Sequence, residues 1–311
     1  MRTTLTVETT HHVAPVNGAD LHHVTAGTAG SPVLLVHGFP ETWWAFHRLL
    51  PHLAAAHRVV AVDLRGFGDS SPAGENHTSA TAAGDLHGLI AHLGLGPVHL
   101  VAQDIAGGAA LRLVTAHPED VLSLTAVELG LAGFGLEALA DVTRGGSWHI
   151  GALAAPGVPE LLLAGRERAF LDATFRGLTA VPDAVTDADL TELTRTYARP
   201  GAWRGAAGLY RSMLAEGDEL RGLVAERPVT VPVLAVGAGG GSFTADTVRQ
   251  VVAGPVATAQ LDGVGHHAAL EAPAELAAEL LPFFRRVDEG ATGSATGSAT
   301  GSTAADAANV R

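Results

Sequence analysis

The turn Ala-Gln-Asp-Ile-Ala-Gly at residues 102–107 places one reactive side chain, Asp104, between a mostly apolar run and a helix-like segment. A strand, a turn flanked by small residues and a helix form a nucleophile elbow, which lifts one side chain above a parallel sheet. Small residues are needed there because the turn presses them against neighbouring backbone. A carboxylate in this position can attack an electrophilic carbon, opening an epoxide or expelling a halide, and water then cleaves the resulting ester. The elbow therefore predicts alkyl transfer through Asp104, and it excludes a serine esterase.

A second turn could stabilise negative charge next to this nucleophile. His-Gly-Phe-Pro at residues 37–40 follows the apolar run 33–36. A turn of this kind can point backbone N–H groups at a developing oxyanion. We expect the N–H groups of Phe39 and Ile105 to form that oxyanion hole, with an ordinary strand-to-helix loop as the alternative.

A histidine that could activate water lies near the C-terminus, in Gly-Val-Gly-His-His at residues 263–267. A loop after the last strand can fold back over the carboxyl edge of the sheet, where Asp104 is expected. His266 directly follows the turn glycine, so we predict it as the general base and assign His267 to packing. The opposite assignment, and a base in neither position, stay open.

The base needs an acid to orient its ring, and Glu128 is the candidate. It closes the apolar run 121–127, where a carboxylate is costly unless a partner satisfies it. The loop after the run 233–236 offers only glycine, alanine and serine at first. The next carboxylate, Asp246, is typical of the first turn of a helix. We predict Glu128 as the acid, with Asp246 or no acid as alternatives.

The composition further limits the binding partners and the kinds of chemistry that the protein can have. The 311 residues are 47% hydrophobic and 16% charged, with a net charge of −13, and no basic cluster indicates nucleic acid binding. There is no cysteine, and all 19 basic residues are arginine, which excludes disulfides, thiolate metal sites, cysteine nucleophiles and Schiff bases. The histidine pairs at 11–12 and 22–23 have no carboxylate or cysteine at metal spacing, so no metal is predicted. No run approaches the roughly 18 apolar residues of a membrane helix. A cytoplasmic protein is expected.

Short β-branched runs alternate with longer alanine- and leucine-rich segments, which is typical of an α/β protein with a mostly parallel sheet. Strands are predicted at residues 4–8, 20–26, 33–36, 58–62, 98–101, 121–128, 233–236 and 257–261. Helices are predicted at 43–56, 79–93, 107–117, 245–252 and 273–286. The alternation breaks after residue 128, where helical patterns such as 159–166 and 202–214 predict an inserted cap. We thus expect a core (1–128 and 228–287), a helical cap (129–227) and a disordered tail (288–311) with an Ala-Thr-Gly-Ser repeat.

Four motifs together resemble the α/β-hydrolase superfamily and, within it, the epoxide hydrolase and haloalkane dehalogenase branch. They are His-Gly-Phe-Pro at 37–40, Asp-x-Arg-Gly-x-Gly-x-Ser at 63–70, the Asp-bearing elbow at 102–106 and Gly-x-Gly-His at 263–266. The resemblance covers roughly residues 33–286. It implies an α/β-hydrolase fold with a mostly parallel eight-stranded sheet and an inserted helical cap, no cofactor, and an alkyl-enzyme ester.

The residues that would stabilise the leaving atom favour epoxide opening over halide release. The resemblance implies that a dehalogenase has a tryptophan after the nucleophile or an asparagine in the first motif, and here these positions are Ile105 and Phe39. Fluoroacetate-type enzymes carry arginines just after the nucleophile, which this chain lacks. Epoxide hydrolases present two cap tyrosines to the epoxide oxygen. Tyr210, in Leu-Tyr-Arg, resembles the second; His149 stands where the first is expected and could donate the same hydrogen bond.

We therefore expect an epoxide hydrolase-like enzyme that acts on an apolar, cyclic small molecule. The candidates for lining its pocket are Trp43, Trp44, Trp148 and Trp203. The elbow begins Ala-Gln-Asp where the family has Gly-His-Asp, which is compatible with a bacterial biosynthetic enzyme for a bulky intermediate. The alternatives are a non-hydrolytic catalyst of ring closure or carbon–carbon coupling on the same fold, a haloalkane dehalogenase, and a binding protein without activity. We expect no nucleic acid or membrane partner, and a monomer or homodimer.

Overall fold

A mostly parallel sheet positions the residues discussed above. The computed structural model describes residues 5–297. Its strands are β1 (Thr10–Val16), β2 (Ala19–Ala26), β3 (Pro32–Val36), β4 (Arg58–Val62), β5 (Val98–Gln103), β6 (Val121–Val127), β7 (Val233–Gly237) and β8 (Val256–Gln260). These described strands form one eight-stranded sheet in the order β1-β2-β4-β3-β5-β6-β7-β8. The β1–β2 and β2–β4 pairs are antiparallel, and the remaining pairs are parallel.

Helices connect the strands and build the cap. In chain order they are α1 (Leu50–Leu53), α2 (Ser79–His92), α3 (Gly107–Ala116), α4 (Trp148–Ala154), α5 (Val158–Leu163), α6 (Glu167–Leu178), α7 (Asp187–Tyr197), α8 (Trp203–Ala215), α9 (Gly217–Glu226), α10 (Phe243–Val248), α11 (Ala268–Glu271) and α12 (Pro273–Gly297). Short 3-10 segments include Trp43–Phe46 and Asp104–Ala106. In the part of the chain that the structure describes, no helix is both long and apolar enough to cross a membrane.

Both faces of the sheet are covered, which explains why its central strands are mostly apolar. Strands β3 and β5 are buried at every position. Helices α2 and α3 pack in one apolar layer and helices α1 and α12 in the other. Parallel strands enclosed in this way need apolar side chains on both faces. Their carboxyl ends open at a common edge, and the loops that follow β3, β5, β6 and β8 carry the predicted oxyanion hole, nucleophile, acid and base.

The cap lies between β6 and β7 in sequence. Helices α4–α9 fill this interval, and its described residues add no strand to the eight-stranded sheet. Helix α8 contacts the 3-10 turn Asp104–Ala106, and α7 contacts the turn Trp43–Phe46. The insertion therefore places two cap helices directly over the elbow and over the loop that follows β3.

The first strand differs from the prediction. Residues 5–8 form no strand, and β1 begins at Thr10. This strand pairs only with β2, and its first four residues are exposed, so its sequence carries little apolar alternation. Asn17 and Gly18, both with positive φ, join the two strands in a hairpin. An Asn-Gly dipeptide between two strands is a strong hairpin signal, and it could have located β1 correctly.

Three predicted helices also differ. The helix expected at 245–252 is α10, which begins at Phe243 and ends at Val248. The segment expected to be one helix at 43–56 is a 3-10 turn followed by α1, because Pro51 lacks the N–H that a continuous helix would need. The last helix passes the expected start of the tail at residue 288 and continues to Gly297. Asp288 accepts a hydrogen bond from the Ser31 hydroxyl at 2.8 Å and lies 3.1 Å from His99 Nε2, which ties this part of the helix to the core. The rest of the predicted tail lies outside the described residues.

Candidate active site

Asp104 stands at the carboxyl end of β5 with its carboxylate held by two backbone N–H groups. Its own backbone is left-handed, with φ of +51°, a conformation that non-glycine residues rarely adopt. The N–H of Phe39 donates to Asp104 Oδ2 at 2.8 Å, and the N–H of Ile105 donates to the same carboxylate. Gly38 permits this approach, because a Cβ there would lie 2.4 Å from the Asp104 Cβ. The two groups predicted as an oxyanion hole thus both contact the carboxylate of Asp104.

His266 lies between two carboxylates. Its Nε2 is 3.5 Å from Asp104 Oδ1, and its Nδ1 is 3.3 Å from Glu128 Oε2. Burial opposes the charged ring, but hydrogen bonds and charges from both carboxylates prevail and raise the pKa of His266 to about 10. Burial likewise opposes the charge on Asp104, yet hydrogen bonds from His266, Phe39 and Ile105 keep the pKa of that carboxyl below its usual value. At neutral pH the site therefore holds an Asp104–His266 ion pair.

Glu128 is buried directly after β6, and the glycine-rich loop after β7 satisfies its carboxylate. The N–H of Ala238 donates to Oε1 at 2.5 Å and that of Gly240 to Oε2 at 2.9 Å. The Glu128 backbone also has positive φ, +46°, which turns the side chain toward this loop. The alternative acid, Asp246, is exposed and bonds Ser242 and Arg249 instead. The structure thus brings Glu128, and not Asp246, to the histidine.

The two cap residues predicted to donate hydrogen bonds lie against the ring of Phe39. The ring centroid of Tyr210 is 5.4 Å from that of Phe39, and the ring of His149 is 5.9 Å away. The two donors are 5.8 Å apart, centroid to centroid. Burial, with the nearby charge of Asp104, raises the pKa of Tyr210, while burial lowers the pKa of His149. Both groups are therefore neutral hydrogen-bond donors near the nucleophile at neutral pH.

Comparisons with known proteins indicate the family of the chain. Residues 31–144 match the family described as alpha/beta hydrolase fold. The soluble epoxide hydrolase of Corynebacterium sp. (strain C12) is 30% identical over 294 residues, covering 90% of this chain and 99% of that protein. Wild-type Cfl2 from Burkholderia cenocepacia, a solved structure, has 32% identity and a TM-score of 0.80 over 91% of this chain and 97% of that one. A fluoroacetate dehalogenase of Burkholderia is 30% identical over 193 residues, covering 60% of this chain and 64% of that protein.

The chain belongs to the epoxide hydrolase-like α/β hydrolases. It is therefore a hydrolase of a family that acts on small molecules. The predicted α/β-hydrolase fold is confirmed.

The four tryptophans of this epoxide hydrolase-like enzyme divide into two pairs. Trp203 packs on Phe170 at 5.6 Å, Trp148 contacts Phe170 at 6.1 Å, and Phe170 lies 6.2 Å from Phe39, so this pair belongs to the cap side of the site. The other pair, Trp43 and Trp44, packs against different parts of the chain.

The ring of Trp43 packs on His11 and His22, and its backbone N–H donates to Asp63. Trp44 stacks on His47 and donates from Nε1 to Asp189 of the cap at 2.9 Å. The structure thus assigns these two rings to packing of the core and to the joint between core and cap. Their spacing in sequence could not reveal this, because it does not show which way each ring turns.

Other residues near the site were not expected from the sequence. Tyr197 packs edge-on against Phe39 at 6.1 Å, and its buried hydroxyl has no partner among the described residues. Glu41 is buried and accepts from Gln103 Nε2 and from the N–H of Gly38. It also lies 2.8 Å from His267 Nδ1. His267 is therefore held beside His266 by a buried carboxylate, and Gln103 contributes to the same buried network. The polar residue type at position 103 could have suggested this network.

Two groups of described side chains bring potential metal ligands within 4.8 Å of one another. One consists of His22, Asp63 and Asp69, and the other of His87, His117 and Asp120. In the first, His22 Nδ1 lies 2.7 Å from Asp63 Oδ2, and Asp63 also accepts from the N–H groups of Trp43 and Asp69. Neither group includes Asp104, His266 or Glu128.

Proposed function

We propose that the chain is an epoxide hydrolase in which Asp104 is the nucleophile, His266 the general base and Glu128 the acid that orients it. The observation that carries this proposal is the position of His266, within 3.5 Å of Asp104 Oδ1 and 3.3 Å of Glu128 Oε2. In this order of carboxylate, imidazole and carboxylate, the ester can form on the first carboxylate. The imidazole, oriented by the second carboxylate, can then activate the water that cleaves the ester.

In the proposed first step, Asp104 Oδ1 attacks an epoxide carbon and the carbon–oxygen bond of the ring breaks. The other oxygen, Oδ2, stays against the N–H of Phe39. Tyr210 and His149 donate hydrogen bonds to the leaving oxygen and pass it a proton. The ion pair with His266 lowers the pKa of Asp104, so the nucleophile is ionised at neutral pH. The products of this step are an ester on Asp104 and a free hydroxyl group on the substrate.

The second step follows from the charges around His266. Forming the ester removes the charge of Asp104, which is one of the two carboxylates that raise the pKa of His266. The pKa of the ring then falls, and the proton that His266 gives up restores the cap donor that protonated the opened oxygen. The neutral ring can now take a proton from water, which attacks the carbonyl carbon of the ester, Cγ of Asp104. Oδ2 then becomes the oxyanion held by the N–H groups of Phe39 and Ile105. Collapse releases the diol and restores the Asp104–His266 ion pair.

The proposed substrate is an apolar, cyclic epoxide of a bacterial biosynthetic pathway. The aromatic side chains around Phe39 support the apolar part of this proposal. They are Phe170, Trp203, Trp148 and the rings of His149 and Tyr210. The cytoplasmic location and the state of monomer or homodimer stay predictions.

A single turnover in heavy-oxygen water tests the mechanism. Excess enzyme is mixed with cyclohexene oxide or styrene oxide, and the diol is analysed by mass spectrometry. The first product should contain an unlabelled oxygen from Asp104, and the carboxylate should gain the label. The His266→Gln variant should trap the ester on the peptide that carries Asp104. Full labelling of the first diol would show that water attacks the epoxide directly.

The same assay separates the alternatives. The resemblance to a fluoroacetate dehalogenase makes halide release the second candidate. Release of fluoride from fluoroacetate, or of bromide from 1-bromobutane, without any adduct from an epoxide would favour that reaction. A cyclised or coupled product without an ester on Asp104 would favour the non-hydrolytic alternative.

A further inference from the structure

Glu271 is a buried carboxylate that binds two distant parts of the chain. Its Oε2 accepts hydrogen bonds from the N–H groups of Ala180 at 2.8 Å and Val181 at 2.9 Å, just after cap helix α6. The same oxygen accepts from Gly265 at 2.9 Å, and Oε1 accepts from His267 at 3.0 Å. The four donors thus comprise two residues of the cap and the two residues that flank His266.

A direct backbone hydrogen bond also joins the end of cap helix α6 to the loop that carries His266. The N–H of His266 itself donates to the carbonyl of Leu178, the last residue of α6, at 2.8 Å. A Cβ at position 265 would lie 2.3 Å from that carbonyl oxygen and 2.6 Å from the N–H nitrogen of Ala180. The loop of residues 263–267, here called the histidine loop, therefore contacts the cap backbone to backbone. Only glycine at position 265 allows this contact.

We propose that Glu271 is a positioning residue that couples the cap to the general base, so that His266 is aligned for water activation only while residues 178–181 lie against the histidine loop. This inference rests on the proposed function of His266. Neighbouring backbone N–H groups of two segments need an acceptor, and a buried donor without one costs about 1–3 kcal/mol. A single carboxylate accepts from all four, so a segment that moves leaves its own donors without an acceptor and also breaks the direct bond between His266 and Leu178.

The coupling should affect the two half-reactions differently. Asp104 and its oxyanion hole lie at the end of β5 and in the loop after β3. None of the four hydrogen bonds of Glu271 goes to these two segments. In the Glu271→Gln variant an NH₂ group replaces one acceptor oxygen and faces a backbone donor. We expect ester formation to stay within about threefold of the wild type, while ester hydrolysis slows by about 10- to 100-fold through misalignment of His266. Rapid-quench single turnovers with styrene oxide measure both rates.

Two further variants keep this test decisive. Glu275→Gln changes an exposed carboxylate of α12 four residues away, and both rates should stay at the wild-type level. Gly265→Ala disturbs the same contact by steric crowding, because its Cβ would lie 2.3 Å from the Leu178 carbonyl oxygen and 2.7 Å from Glu271 Oε1, and it should reproduce the slow hydrolysis while the carboxylate itself is kept. Equal slowing of both half-reactions, or no slowing of hydrolysis in Glu271→Gln, would overturn the proposal.

Hydrogen exchange provides a readout that needs no activity. In Glu271→Gln the amides of residues 178–181 and 265–267 should lose protection together, whereas the amides of β5 keep theirs. Loss of protection in one segment alone would also overturn the coupling. If the wild type opens no epoxide but this joint loss occurs, the proposed function fails while the structural coupling stands.

Discussion

Asp104 and Glu128 each end a parallel strand in a left-handed backbone conformation, with φ of +51° and +46°. Such a conformation costs a non-glycine residue of the order of 1–3 kcal/mol and persists only where the surroundings enforce it. The surroundings here are backbone N–H groups: Phe39 for Asp104, and Ala238 with Gly240 for Glu128. The strain turns each carboxylate out of its strand and toward His266.

The acid can be tested by a change that keeps its shape. Glu128→Gln removes the charge that stabilises a protonated His266, so ester hydrolysis should slow by about 10²–10⁴-fold, the usual scale for a general acid–base group. Rapid-quench kinetics after ester formation measure this rate. The control is Asp246→Asn, which changes the exposed alternative acid and should leave hydrolysis unaltered. An unchanged rate in Glu128→Gln would remove Glu128 from the mechanism.

The chain has two tyrosines, and they form a matched pair for testing the cap donor. Tyr210→Phe deletes the hydroxyl proposed to protonate the epoxide oxygen, so ester formation should slow about tenfold, or about 1.4 kcal/mol of lost stabilisation. Tyr197→Phe deletes a buried hydroxyl without a partner among the described residues, so it should leave that rate unchanged and should not lower the stability. The rate of ester formation in single turnovers decides between them. Equal effects of the two substitutions would contradict the role of Tyr210.

At the residue scale, the sequence predicts best those residues that directly follow a strand. Asp104 and Glu128 come directly after β5 and β6, so the parallel strands bring them to one edge, whereas His266 lies six residues after β8 and reaches that edge through its loop. Side chains in the middle of a helix or turn have no such constraint. Trp43 and Trp44 are neighbours in sequence, yet one packs on the N-terminal strands and the other on the cap.

At the scale of elements, helix α7 is joined to the core through Asp189. Its carboxylate accepts hydrogen bonds from the indole of Trp44 and the guanidinium of Arg48, at 2.9 and 2.6 Å. It also completes a capping box with Thr186 at the start of α7. One buried side chain thus begins the helix and holds it against the turn that follows β3.

Removing this joint should loosen the cap more than the sheet. Asp189→Ala leaves Arg48 and the indole of Trp44 without their acceptor, and breaking a buried pair costs about 3–5 kcal/mol. Because the Arg48 side chain is 27% exposed, we expect a loss of about 2–3 kcal/mol in the free energy of unfolding. Urea denaturation measures it. The control is Asp187→Ala, in the same helical turn but 96% exposed, which should cost about 1 kcal/mol or less. Equal losses would contradict the assignment of Asp189.

Among the elements, the central parallel strands β3 to β7 are predictable because both of their faces are largely buried. Strand β1 is not, because it is held by pairing with β2 and not by burial. The continuation of α12 beyond residue 287 depends on Asp288, whose partners Ser31 and His99 are far away in sequence. Contacts of this kind leave no periodic pattern in the sequence.

At the scale of the whole molecule, the active-site ion pair links stability to pH. The folded protein raises the pKa of His266 to about 10, from an unfolded value of about 6.5. A raised pKa contributes stability that is fully present below the unfolded value and is lost as the pH rises through the folded one. The site therefore stabilises the protein most in neutral and mildly acidic solution and least in alkaline solution.

The His266→Gln variant should show this dependence. Its loss in free energy of unfolding, relative to the wild type, should be larger at about pH 6 than at about pH 10.5, because only the protonated ring gains from both carboxylates. Guanidinium denaturation at the two pH values measures the difference. A loss that is the same at both would show that the ring is not held protonated by Asp104 and Glu128.

The glycine-rich loop after β7 also limits how this active site can evolve. A Cβ at Gly239 would lie 3.1 Å from the backbone nitrogen of His266, and one at Gly240 would lie 3.3 Å from the Glu128 carboxylate. A second acid introduced at either position would therefore crowd the base or face a like charge. An acid placed in this loop would require His266 or Glu128 to shift, so we expect a change at one of these positions to depend on a change at the other.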